Sequence, residues 1–199
     1  MLQELQASTN LRVFTWAHRI GAVNRLAVST VVYEPADVIY EFLLKFPNYT
    51  RYSEYLTDVR TRRGDGGAGT EYALRFAWWK LEYTAHSLVF DVTPDRRIDW
   101  RITKDVDAEG CWRIEPLDSI PDDAPADVEA ACEVVFEVWY DPQSADDGMV
   151  DLPRFVSIGW VVDKAIPLIR TEAEAIFERA VADLEGRRRP IDLDISTES

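Results

Sequence analysis

The stretch from Asp151 to Gly186, DLPRFVSIGWVVDKAIPLIRTEAEAIFERAVADLEG, limits what the rest of the chain can become. Its apolar residues Phe155, Ile158, Val162, Ala165, Ile169, Ala173, Ile176, Ala180 and Leu184 follow one another at steps of three and four. That spacing puts them in one stripe along a helix. At ~1.5 Å per residue the helix would run roughly 50 Å, more than a small core needs unless it lies diagonally across a sheet. Asp151 suits the N-cap, Pro153 the first turn and Gly186 the C-terminal stop, and Pro167 predicts a kink. The upstream chain must supply the surface that this stripe buries.

Upstream the pattern changes. NRLAVSTVVY is rich in β-branched residues and reads as a strand. Glu34-Pro35 then opens a helix, ADVIYEFLLKF, with Pro35 in its first turn and Val38, Phe42 and Leu43 on its buried side. Pro47 ends that helix, and PNYTRYSEYL forms a short second one. LTDVRTRR is a strand, and GDGGAG is a hairpin turn whose glycines supply positive φ. This turn is not a phosphate loop, because no Lys-Ser or Lys-Thr pair and no helix follows it.

TEYALRFAWW, KLEYTAHSLVFDV, IDWRI, CWRIEPL and ACEVVFEVWYD alternate with period two, the mark of half-buried antiparallel strands. Parity sends Tyr72, Leu74, Phe76, Trp78, Tyr83, Trp100, Trp112, Phe136, Val138 and Tyr140 to one face. Arg75, His86, Asp99, Arg101, Glu133 and Glu137 go to the other, solvated face. The acidic, proline-rich segment DSIPDDAPADVE is a mobile loop, residues 1–22 form an N-terminal extension without an assigned partner, and 187–199 form a tail. Residues 23–186 are thus one α+β domain. In it a curved antiparallel sheet of about six or seven strands wraps around the long C-terminal helix, with two short helices after the first strand.

The 36 acidic against 22 basic side chains leave a net charge of -14. Nucleic acid and anionic membranes are poor partners for such a surface, since phosphate binding needs a basic face. Lysine occurs only at 45, 80, 104 and 164, and this skew suits a salt-adapted protein whose self-repulsion is screened. The 2 cysteines, Cys111 and Cys132, fall on opposite faces by parity, which predicts free thiols, and with His18 and His86 they give no metal-ligand spacing. No apolar run approaches the ~18 residues of a membrane span, and the first residues lack a signal-peptide core, so the expected address is the cytoplasm.

STVVYEPADVIYEFLLKFPNYTRYSEYL, the turn and strand GGAGTEYALRFAWWKLEYTA, RIDWR and PLIRTEAEAIFERAVADLEG together resemble the START-like, or SRPBCC, superfamily. Within it the similarity is to the polyketide cyclase/dehydrase and Coq10-like branch. The resemblance spans Asn24 to Gly186 and implies the helix-grip fold, with a cavity between the concave sheet face and the long helix. It also implies lining by the ten inward residues above together with Phe155, Ile158, Val162, Ile166 and Ile169 from the helix.

Aromatic residues at this density suit a flat or elongated apolar ligand, such as a quinone, an isoprenoid lipid or a polyketide-like aromatic, carried or sensed without a cofactor. Two alternatives stand beside that reading. A cyclase, aromatase or dehydratase would need an acid or base in the cavity, and the candidates His86, Asp99, Arg101 and Arg75 lie on the wrong face. Asp99 is more simply a cross-strand partner of Arg75 or Arg101. An interaction module would have its cavity filled by its own rings. Trp78 and Trp79, adjacent on a strand, point opposite ways, so either one indole marks a rim, a partner surface or a point of transient membrane contact, or a twist or bulge at the strand end hides both.

Overall fold

The computed structural model describes residues 24–78, 81–141, 144 and 172–198. Strand β1 (Asn24–Val32) leads into helix α1 (Ala36–Leu44) and a 3-10 helix (Phe46–Arg51). A meander follows: β2 (Leu56–Arg63), β3 (Glu71–Trp78), β4 (Leu81–Thr93), β5 (Arg97–Ile102), β6 (Ala108–Pro116) and β7 (Cys132–Tyr140). Helix α2 is described over 172–184, and β8 (Asp194–Glu198) comes last. All strands belong to one antiparallel sheet in the order β2-β3-β4-β5-β6-β7-β1-β8. The architecture is the expected α+β helix-grip fold, with eight strands where the sequence predicts about six or seven.

The additional strand is the predicted tail. β8 pairs with β1 from Arg25↔Glu198 to Ser29↔Asp194, and so covers an edge that β1 would otherwise leave open. The opposite edge, β2, carries two register shifts and the exposed residues Arg60, Arg62 and Arg63, both features that discourage a further strand from adding.

Local chemistry explains the element ends. Pro35 takes the N-cap position of α1 rather than its first turn, in an extended conformation, and its carbonyl accepts the Ile39 N–H at 3.1 Å. The buried side of α1 is Ile39, Tyr40 and Leu43, whereas Val38, predicted inside, is 40% exposed. The β2–β3 turn needs Gly64, with φ 92°, where a Cβ would lie 2.5 Å from the Thr70 hydroxyl. Thr70 is fully buried, and its hydroxyl accepts the Gly66 N–H at 2.9 Å.

The core lies between the concave sheet face and the helices. Val32, Ile98, Ile114 and Val134 of the sheet cluster with Ile39, Leu43, Phe46 and Val181. Polar bonds fasten α2 to the segment after the 3-10 helix. Arg179 donates to the Tyr52 carbonyl at 2.7 Å, and the Tyr52 hydroxyl donates to Asp183 at 2.6 Å.

The convex face departs from its predicted character around Glu137. Parity puts this side chain outside, yet it is 5% exposed, ion-paired with Arg25 and 3.6 Å from Arg113. Cys111 lies beside it, fully buried, with its thiol pushed up to about 12 by burial. Asp99 pairs with Arg97 on its own strand at 2.8 Å, not with Arg75 or Arg101. Arg75 pairs with Glu82, and the Arg101 guanidinium sits 5.6 Å from the Phe90 ring centroid. Cys111 and Cys132 are both free, as their opposite parities predict, and both are buried.

Candidate functional site

Strand register fixes the composition of the concave face. Leu56↔Phe76↔Tyr83 and Val59↔Leu74↔Ala85 form rows at one end, Thr61↔Tyr72↔Ser87↔Ile102 comes next, then Val89↔Trp100↔Gly110↔Val138 and Ile98↔Trp112↔Phe136. Tyr140 continues the face opposite Ala108 and Asn24. Tyr72, Leu74, Phe76, Tyr83, Trp100, Trp112, Phe136, Val138 and Tyr140 therefore share the side on which parity puts them. Trp78 continues β3 at Leu81. The roof residues assigned from the sequence, Phe155, Ile158, Val162, Ile166 and Ile169, lie outside the described residues, as do Trp79, Asp151, Pro167 and the segment 1–22.

The rings form a connected series across this face. Tyr72 stacks on Phe46 at 4.8 Å and Phe46 on Tyr49 at 4.9 Å. Tyr49 meets Trp112 edge-on at 6.3 Å, and Phe136 joins Trp112 at 4.7 Å to Trp100 at 5.9 Å. Burial falls along the series. Tyr72 and Phe46 are buried, Trp100, Trp112, Phe136, Tyr83 and Tyr140 are half-buried, and Phe76 is 37% exposed.

A small apolar pocket of about 50 Å³ opens where α1, α2 and the sheet meet. Thr30, Val32, Trp112 and Val134 of the sheet, Ile39, Phe42 and Leu43 of α1, and Ile176, Phe177, Ala180, Val181 and Leu184 of α2 line it. At ~10–15 Å³ per water it has room for only a few water-sized groups, so a multi-ring ligand must extend beyond it or displace side chains. Of the described residues among the lining predicted from sequence, only Trp112 touches this pocket. It lies under Ile176 to Leu184, toward the C-terminus from the helix residues expected to line the cavity. The stripe Ala173, Ile176, Ala180, Leu184 signals contact with the sheet but carries no information about how tightly that contact closes.

The polar groups on this face are few and mostly engaged. Thr30 donates to the Asp192 carbonyl at 2.8 Å, and the Tyr49 hydroxyl donates to the Leu43 carbonyl. Burial and the nearby Tyr72 hold the Tyr49 phenol well above its ordinary range, despite a hydrogen bond with Trp112. Burial, then the Asp105 carboxylate, pushes Tyr83 up to about 12. These phenols are hydrogen-bond donors at neutral pH, not bases.

His86, Arg75, Asp99 and Arg101 lie on the opposite, convex side by the same register. Arg62 Nη1 is 2.8 Å from His86 Nδ1, and burial with the positive charges of Arg62 and Lys104 lowers the imidazole pKa. Among the described residues, no group of His, Cys, Asp and Glu could hold a metal ion, and no helix is long and apolar enough to cross a membrane.

An open antiparallel sheet that grips a C-terminal helix over an aromatic concave face defines the START-like, or SRPBCC, class. The chain belongs to the polyketide cyclase / dehydrase and lipid transport family, whose model matches residues 32–156. That match does not single out the Coq10-like branch. No curated protein matches significantly. The fold is similar to that of the Zhui aromatase/cyclase from Streptomyces sp. R1128, with a TM-score of 0.58 and 16% identity over 82% of this chain and 94% of that one. It is also similar to Ara h 8.0201, with a TM-score of 0.55 and 10% identity over 83% of this chain and 100% of the other.

Proposed function

We propose that the protein binds a hydrophobic small molecule between the concave sheet face and the C-terminal helix, as a carrier or sensor. The observation that carries this reading is the incomplete burial of the concave aromatic series: Trp100, Phe136 and Tyr83 are half-buried and Phe76 is 37% exposed. Rings with no further role would be drawn into the core, because each fully buried apolar side chain contributes about 1.5–3 kcal/mol. Their flat faces instead offer contact to a planar or extended apolar ligand, a quinone, an isoprenoid lipid or a polyketide-like aromatic. The family's description, which joins polyketide cyclases and dehydrases with lipid transport, supports the same class of ligand.

Binding without catalysis fits the chemistry of the face better than an enzyme does. The groups with acid–base character within the candidate set lie on the convex side, and the inward phenols Tyr49 and Tyr83 stay protonated. Native mass spectrometry of gently purified protein tests the proposal. A co-purifying organic mass that is lost on denaturation is the expected result. Apoprotein that also takes up no added polycyclic aromatic or prenyl lipid would rule the proposal out.

A further inference from the structure

Ser87 is out of keeping with its surroundings. It occupies the middle of β4, is 3% exposed, and its hydroxyl is a buried side-chain oxygen with no hydrogen-bond partner among the described residues. Register puts it on the concave side, between Tyr72 of β3 and Ile102 of β5. Tyr72, Val89 and Ala85 beside it are buried, while Leu74, Trp100 and Ile102 on the neighbouring strands are half-buried. Ser87 thus marks the border between packed core and aromatic floor. Three other hydroxyls in this part of the core are engaged, Thr30 with Asp192, Tyr49 with Leu43 and Thr70 with Gly66. A buried hydroxyl left unpaired disfavours the folded state, and alanine would fill the same place without that cost.

We propose that the Ser87 hydroxyl is the polar anchor of the ligand site and receives an oxygen atom of the ligand. The reading rests on the concave face being a ligand site, and it narrows the ligand to an oxygenated ring system: a phenol, a quinone or an aromatic ketone. A serine hydroxyl donates to a carbonyl and accepts from a phenol, so it serves either form. A hydrocarbon or a purely aliphatic chain leaves it unpaired, and a site that loses a buried hydrogen bond in this way discriminates against such a ligand.

Equilibrium dialysis with two isosteric probes, 2-naphthol and 2-methylnaphthalene, tests the anchor. Ser87→Ala is expected to lower the 2-naphthol affinity about five- to tenfold and to leave that of 2-methylnaphthalene within about twofold. Ser87→Cys, close to serine in size and a weak donor, provides a second variant with the same expected loss of preference. An unchanged ratio of the two affinities in both variants overturns the anchor, since the hydroxyl is then merely hydrated, while saturable binding still upholds the ligand site. If neither probe binds saturably to the unaltered protein, the ligand site itself is overturned and the anchor with it.

Discussion

Gly110 lacks a side chain because Trp100 and the β7 backbone occupy the space. A Cβ built there would lie 2.3 Å from Trp100 Cζ2 and 2.5 Å from the Glu137 carbonyl oxygen. The indole can therefore lie close over β6 and stack on Phe136, a placement on which the concave aromatic floor depends. Gly110→Ala should lower stability by about 1–3 kcal/mol, through overpacking against a strand that cannot yield. A lower urea midpoint with altered tryptophan fluorescence is the expected outcome. A raised midpoint, the usual direction for Gly→Ala where space allows, would show that Trp100 swings away freely. The glycine reads in the sequence only as a small residue within a strand; its meaning depends on a cross-strand neighbour that no local pattern reveals. Glu137 fails for the opposite reason. Its parity is correct, but alternation reports the side of the sheet, not whether that side meets water.

The first and last elements are tied together by one carboxylate. Glu185, with its side chain 1% exposed, accepts the Tyr33 N–H at 2.9 Å and a two-point contact from Arg189 at 2.7 and 2.9 Å. Arg189 also donates to the Val31 carbonyl at 2.7 Å and lies 4.1 Å from the Tyr33 ring centroid. The end of α2, the end of β1 and the segment leading to β8 meet here. Arg189→Ala would leave the buried Glu185 with the Tyr33 N–H and, as its ion-pair partner among the described residues, Arg187 at 3.8 Å, and should cost about 3 kcal/mol. The loss should be local first. Hydrogen exchange in 25–31 and 194–198 should rise more than in β3 to β5, and a uniform rise across the sheet would show that Arg189 does not hold β8. DISTE is hard to recognise as a strand because it holds one apolar residue and pairs through its backbone. The face of α1 is hard to choose for a different reason: Val38, Ile39, Tyr40, Phe42, Leu43 and Leu44 surround most of the helix.

At the scale of the molecule, the meander from β2 to β7 and its two faces were legible because each strand alternates cleanly between turns. The concave membership of Tyr72, Trp100, Trp112 and Phe136 follows from parity alone. Cavity size does not, since it depends on how α1 and α2 settle on those rings, and the pocket under Ile176 to Leu184 shows the difference. Charge is the remaining global property. With 36 acidic against 22 basic side chains the folded state carries strong self-repulsion, opposed by local arginine pairs such as Arg97–Asp99 and Arg187–Asp127.

Salt weakens both contributions, so their balance decides the sign. Exposed pairs contribute about 0–1 kcal/mol each, and the better buried pairs, including Arg189–Glu185, are screened least. The net charge of -14 acts over the whole surface and is screened most as the Debye length falls from ~10 Å at 0.1 M to ~3 Å at 1 M. Relief of repulsion should therefore win. The melting temperature should rise between about 0.1 and 1 M sodium chloride, at about 2–4 °C for each kcal/mol gained. Most of the gain should come by about 0.5 M, where screening is already largely complete, because a general preferential-exclusion effect would keep rising linearly instead. A melting temperature that falls with salt would mean that the arginine pairs outweigh the excess acid, and would remove the physical basis for reading the composition as salt-adapted.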